Sequence, residues 1–369
     1  MTTTRLGPVR RPMLVALLGA LTLALAACTG GTTPPTTSTP STSTVALPPT
    51  VDPSKQPVPT PTVPSVWPLT GMPVTGTAAN RPALAVKIEN TAEARPQEGL
   101  NEADLVWENI VEFDVSRFNA VFQSQVPGEI GPIRSVRPMD MPESAPLHGL
   151  FAYSGGQPGI LALAQSSGEQ NFSFDSGNSA FYRIKARPAP HNVYSHPADI
   201  WAQADPSRVA PKPWFQFGRS AAQASAMVAG TPTNVLSFKL SAYAHPSWTW
   251  DATSGTWLRF EGPAKAMTQT SGAAESQIHA VNVLTIVASH PNTQFRAQNN
   301  APVPTYTLVN ASGDGVLASG GKTIPVKWSK GAQDAPMVVT LADGTPAVFA
   351  PGNTWIEMVP KETGSYTVG

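Results

Sequence analysis

The run Leu105-Val106-Trp107-Glu108-Asn109-Ile110-Val111-Glu112-Phe113, the break Asp114-Val115-Ser116 and the run Arg117-Phe118-Asn119-Ala120-Val121-Phe122-Gln123-Ser124-Gln125 read together as a β-hairpin. Both arms are rich in β-branched and aromatic residues. In the second, Phe118, Ala120 and Phe122 alternate with Asn119, Val121 and Gln123, the period of a strand with two distinct faces. Upstream, Ala83–Glu89 reads as a buried strand and Asn101-Glu102-Ala103-Asp104 as a short helical turn. Downstream, Ile130–Val136, a helix-like stretch at Met139–Leu147 and Leu150–Ser154 form a strand–helix–strand unit, with further helices expected at Pro158–Ala164 and Ala198–Ala204. This alternation predicts an α+β or α/β domain built on a mixed sheet, over residues 67–210.

After Pro211 the pattern changes. Val235–Tyr243, Trp248–Trp250, Thr256–Phe260, Ile278–Val287, Thr305–Val309, Thr323–Trp328, Met337–Leu341 and Trp355–Val359 are β-rich. Ser254-Gly255, Gly313-Asp314-Gly315 and Asp343-Gly344 fall between them as turn signals. A mainly-β C-terminal domain over residues 211–369, sandwich-like or barrel-like, is expected.

The N-terminus carries Arg5, Arg10 and Arg11, then an apolar run from Met13 to Ala27, then Cys28 after Leu25-Ala26-Ala27. A basic start, a short apolar stretch and small residues before the cut describe a secretory signal over residues 1–27. The run is shorter than the ~20 residues a spanning helix needs. Cys28, the one cysteine of the chain, is placed to receive a diacylglyceryl group, and two acyl chains anchor stably. A membrane-anchored bacterial lipoprotein on the extracytoplasmic face of the cell membrane is the expectation. Residues 28–66 are Thr, Ser and Pro with little to bury, so they read as a disordered tether, whose ends would lie about 35 Å apart as a flexible coil.

With a single cysteine no internal disulfide is available, so the body must be held by apolar cores; 41% hydrophobic residues suffice for that. Loss of the three signal arginines from 24 basic residues leaves 21 against 24 acidic, a formal charge of −3. No Lys/Arg run marks a nucleic-acid surface, and nucleic acid is not expected as a partner.

Several groups have chemical potential. Glu108 and Glu112 would share a strand face about 13 Å apart, too far for a glycosidase pair, although Glu89 on a neighbouring strand can approach Glu108. The structural alternative pairs Glu112 with Arg117 across the hairpin. Ser154 in Tyr153-Ser154-Gly155-Gly156 follows a strand but lacks the G-x-S-x-G pattern; the glycines fit a turn or backbone N–H groups facing a ligand. Arg134 and Arg137, with Arg183 and Arg187, can clamp a carboxylate or phosphate, or pair internally with Glu89, Glu108 or Asp104. His191-Asn192, with His196 nearby, lacks the ligand set of a metal site; His191 is read as orienting a loop or meeting a ligand. Trp248, Trp250, Trp257, Trp328 and Trp355 fill a β core or stack on sugars.

Arg95-Pro96-Gln97, Ala103-Asp104-Leu105-Val106, Ser116-Arg117-Phe118, Ile130-Gly131-Pro132-Ile133-Arg134-Ser135-Val136-Arg137-Pro138, Ser154-Gly155-Gly156, Ala189-Pro190-His191-Asn192-Val193-Tyr194 and Pro351-Gly352-Asn353-Thr354-Trp355-Ile356 together resemble the YerB-like lipoprotein family, the domain of unknown function 3048, over nearly all the chain after Trp67. The resemblance implies an N-terminal and a C-terminal family domain, and carries no established reaction. A polar ligand pocket formed by Glu108, Arg117, Arg134, Arg137, Ser154, His191 and Asn192 is expected, with cell-wall material or another envelope protein as partner and neither cofactor nor metal. A glycan hydrolase and a protein-interaction scaffold are the alternatives.

Overall fold

The computed structural model describes residues 65–74 and 80–369. The expected signal peptide, Cys28 and the tether as far as residue 64 lie outside the described residues. Thr62–Gly369 forms one compact unit. Among the described residues, no helix is long and apolar enough to cross a membrane.

The hairpin is present. Leu105–Ile110 (β2) and Ser116–Phe122 (β3) pair antiparallel from Leu105↔Val121 to Ile110↔Ser116. Leu84–Glu89 (β1) lies on the other side of β3, with Glu89 opposite Arg117. Leu150–Tyr153 (β4) and Gln170–Ser173 (β5) continue outward from β1 in parallel. The helices are short: Asp140–Ser144 (α1) and Pro158–Gln165 (α2), then Pro197–Trp201 (α3) and Ser225–Ala229 (α4). Gln157 caps α2 by accepting from the backbone N–H of Gly159 and Ile160.

The second half is mostly strand, and its longer strands fall in two large sheets. Val235–Lys239 (β6), Pro246–Asp251 (β7), Thr256–Glu261 (β8) and the C-terminal Ser365–Val368 belong to a six-stranded sheet. Asn282–Ala288 (β9), Ala311–Ser319 (β10), Lys322–Lys330 (β11) and Thr354–Pro360 (β12) join the sheet of the first half, making eleven strands. The joint is β12, parallel to β9 on one side and to β2 on the other. Residues before and after 210 therefore share one hydrogen-bonded sheet.

Both faces of that sheet are covered at its central strands, which explains why β1, β2 and β3 are buried at every position. On one face Ala85, Trp107, Val121, Phe151 and Ile356 pack with Met141, Ile160, Trp214 and Tyr306. On the other, Val86, Phe118, Ala120 and Trp355 meet Leu236, Trp248 and Trp257 of the six-stranded sheet. Trp248, Trp257, Trp328 and Trp355 are thus core residues, and Trp250 is half-buried.

Three sequence expectations change. Gly313-Asp314-Gly315 is no turn; it lies inside β10, and the hairpin turns at Gly320-Gly321, both at positive φ (60° and 73°). Ile130–Val136 is an extended connection touching its neighbours through single bridges at Ile130, Gly131 and Ile133; Pro132, lacking an N–H, interrupts a ladder. Thr305–Val309 is irregular, with Tyr306 and Leu308 serving the core instead.

Candidate functional site

The connection Arg134–Val136 is pinned between the ends of β1 and β4. Arg134 N donates to Lys87 O (2.8 Å), Ser154 N to Arg134 O (2.9 Å) and Val136 N to Gly155 O (2.9 Å). This holds Arg134 and Arg137 beside Arg117, the second residue of β3. All three line a cleft of about 580 Å³ with Thr91, Glu112, Phe113, Gly156, Gln157, Asp175, Arg296 and Gln298. Thr91, Gly156 and Asp175 each follow closely on the carboxyl end of one of the parallel strands β1, β4 and β5, the place where open sheets with parallel strands hold ligands. Gly155 brings the Asp175 carboxylate close to the backbone: a Cβ there would stand 1.8 Å from one of its oxygens and would displace that exposed side chain.

Glu112 is buried and grips two arginines. Arg137 Nε donates to its Oε2 at 2.6 Å, Arg137 Nη2 donates to its Oε1, and Arg117 Nη2 lies 3.6 Å from Oε1. Burial alone would raise its pKa, but the Arg137 hydrogen bonds and both guanidinium charges bring it down to about 2. It is held as an anion, unsuited to act as a general acid. Both arginines also donate to Ser135 O, Arg117 at 3.2 Å and Arg137 at 3.3 Å. Burial, then the neighbouring charge of Arg137, pushes Arg117 down to about 9. Four guanidinium groups face two carboxylates in the cleft lining, so the cleft is cationic.

A second carboxylate lies next to it. Glu89 is fully buried, and its Oε1 meets Arg134 Nε (3.2 Å), His191 Nδ1 (3.0 Å) and Thr91 Oγ1 (3.1 Å). His191 thus reaches the cleft through Glu89 and Arg134. Asn192 stabilises its own loop, accepting from Arg183 (2.5 Å) and donating to Ile184 O and Arg187 O (3.1 Å each). Ser154 stands behind Gly155 and Gly156, half-buried. Glu108 is elsewhere. It points to the opposite face of the sheet, where Arg259 Nη2 is 2.7 Å from its Oε2.

The structure therefore gathers Arg117, Arg134 and Arg137, sets His191 beside them, and leaves Asn192, Ser154 and Glu108 outside the lining. Glu112, Phe113, Gln157, Asp175, Arg296 and Gln298 join without having been expected in the pocket. The structural alternative for Glu112, a contact with Arg117, is present. Arg296 comes from the strand Asn292–Arg296, distant in sequence and without local signal. Among the described residues, no group of three His, Cys, Asp or Glu is set to hold a metal ion.

Family models match the two halves of the chain. Residues 69–210 fit the N-terminal domain, and residues 236–356 the C-terminal domain, of "Protein of unknown function (DUF3048)". The chain belongs to the DUF3048 family. Over 310 residues it is 26% identical to "Putative lipoprotein YerB" of Bacillus subtilis (strain 168), covering 79% of this chain and 86% of that protein. The crystal structure of Bacillus subtilis YerB superposes with a TM-score of 0.67 at 24% identity, over 82% of this chain and 99% of that one. At that identity the likeness speaks for the fold. The DUF3048 resemblance read from the sequence is confirmed, as is an α+β N-terminal region followed by a mainly-β one.

Proposed function

We propose that this DUF3048 protein is a lipid-anchored binding protein of the cell envelope. Its body works on the extracytoplasmic side, and its cleft holds a ligand of wall or envelope material without reacting on it. The basic start, apolar run and Cys28 of the sequence, together with the name of the Bacillus relative, support the anchor. The observation that carries the binding role is the convergence of Arg117, Arg134, Arg137 and Arg296 on one cleft. A binding role fits better than glycan hydrolysis because the most deeply buried acid in the cleft lining, Glu112, is locked as an anion between two arginines. Its domains divide near residue 210, each family half contributing strands to the shared sheet.

The test has two arms. The protein and its Cys28→Ser variant are expressed and the cells fractionated; the parent should stay with the membrane and the variant should leave it. The body starting at Thr62, the compact unit, is then incubated with labelled purified cell walls. Retention without soluble fragments is expected. Release of labelled fragments would replace the reading with the hydrolase, and neither retention nor release would end it in favour of a scaffold.

A further inference from the structure

The arginines of the cleft hold more donors than the protein uses. Among the described residues, Arg296 is exposed and makes no ion pair or side-chain hydrogen bond. Arg117 makes one hydrogen bond, to Ser135 O at 3.2 Å, and one longer contact of 3.6 Å with Glu112. Arg134 has a long contact to Pro190 O (3.5 Å), and its buried Nε stands 3.2 Å from Glu89 without an aligned hydrogen bond. Buried donors are ordinarily satisfied, and crowded like charges disfavour one another. An oxyanion in the cleft would offset this crowding through the remaining Nη donors, since guanidinium groups match carboxylate and phosphate oxygens bidentately.

The rim supplies a second observation. Phe113 is 54% exposed at the tip of the β2–β3 hairpin, and it is held at φ 64° in the left-handed region that non-glycine residues rarely adopt. Residues in such conformations cluster at ligand sites. Phe113 lines the cleft with Val115, Ile160 and Val303, so an apolar wall stands beside the cationic groups. A flat aromatic face next to guanidinium donors suits a ring that is apolar on its face and charged at its edge.

We propose that the cleft is a binding site for an anionic sugar, its oxyanion received by the free N–H donors of Arg117, Arg134 and Arg296 and its ring laid against Phe113. This rests on the cleft reading above and names the ligand class. The oxyanion is a carboxylate or a phosphate, which share this recognition chemistry.

Calorimetric titration of the full-length protein in detergent, with glucuronate, glucose 6-phosphate, inorganic phosphate and neutral glucose, tests it. At least one charged sugar should bind about tenfold more tightly than glucose, as charge-assisted hydrogen bonds require, and the tighter of the two names the oxyanion. Arg296→Ala, which disturbs no internal pair, should weaken whichever charged sugar binds by several-fold, up to about tenfold. Arg134→Lys keeps a countercharge for Glu89 but loses the planar fork, and should weaken them as well. Phe113→Gly suits the backbone and should weaken the sugars while leaving inorganic phosphate unchanged. Equal binding of glucose and the charged sugars, no effect of Arg296→Ala with Arg134→Lys, or inorganic phosphate binding as well as the sugars would each overturn the proposal. Retention on cell walls without charged-sugar binding would remove this inference and keep the binding role; charged-sugar binding without wall retention would keep this inference and remove wall material as the ligand.

Discussion

Glu112 shows what a single buried carboxylate does here. Its pKa falls from 4.5 to about 2, a difference worth about 3 kcal/mol of folding stability. The sign follows from the direction. Above about pH 4.5 the group is ionised in folded and unfolded chains alike, and its stabilisation is complete. As the pH drops towards 2 the folded protein must take up the proton, and the stabilisation is lost. Glu112→Gln should therefore cost about 3–5 kcal/mol at neutral pH, because Arg137 and Arg117 are left buried without their anion. The deficit should shrink between pH 4.5 and 2. Urea denaturation of variant and parent at pH 7 and pH 3 checks this, the difference between them cancelling the other carboxylates. Parallel pH profiles would mean that Glu112 is not held as the geometry indicates.

The β10–β11 hairpin shows why glycine signals mislead at the scale of an element. Gly313 and Gly315 look like turn residues, yet each sits in β10 where a side chain has no room. A Cβ on Gly313 would stand 2.7 Å from Trp328 Nε1 and 2.8 Å from Val287 O; on Gly315 it would stand 2.3 Å from Thr285 O. The true turn, Gly320-Gly321, has positive φ at both central positions, as a two-residue hairpin of the right twist requires. Gly313→Ala should cost about 1–3 kcal/mol through overpacking and loss of the Trp328 Nε1 to Val287 O hydrogen bond (3.1 Å). Asp314→Ala, which removes only an exposed pair with Lys327 (2.9 Å), should cost less than about 1 kcal/mol. Thermal unfolding of both variants decides; equal effects would contradict the close packing at Gly313.

For the whole molecule the decisive contact is Arg259, fully buried between the two sheets. It meets Glu108 (2.7 Å), Glu261 (2.7 Å) and Glu357 (2.9 Å), and its guanidinium lies over the rings of Trp355, Phe118 and Trp248. Burial alone would lower its pKa, but the surrounding carboxylates raise it above the ordinary value. Burial and then the neighbouring Glu108 push the pKa of Glu357 up. The cluster ties β2 of the first half to β8 and β12 of the second. Arg259→Ala should destabilise by about 3–5 kcal/mol, since the carboxylates remain buried without their cation. The loss should grow with rising pH, as those carboxylates are forced to ionise. A difference in denaturation midpoint between variant and parent that stays constant from pH 5 to pH 8 would refute the role of Arg259 as their counterion.

Local signals were enough for local structure. The hairpin, β1, the short helices and most second-half strands were legible because alternation, β-branched content and proline positions act over a few residues. The family, too, was written in short motifs. The candidate site was legible only in part. Arg117, Arg134 and Arg137 belong to one motif-rich stretch, whereas Arg296 arrives from 159 residues beyond Arg137 and Asp175 from the end of β5. The fate of Glu108 was hidden because strand alternation sets which face it occupies but not what covers that face. The amino-acid order settled where the strands run and which residues alternate across them. Tertiary structure alone decided that β12 stitches both halves into one sheet, and so which charges meet in the cleft and which are neutralised in the core, because pairing between distant strands depends on the burial and hydrogen bonding of the whole chain.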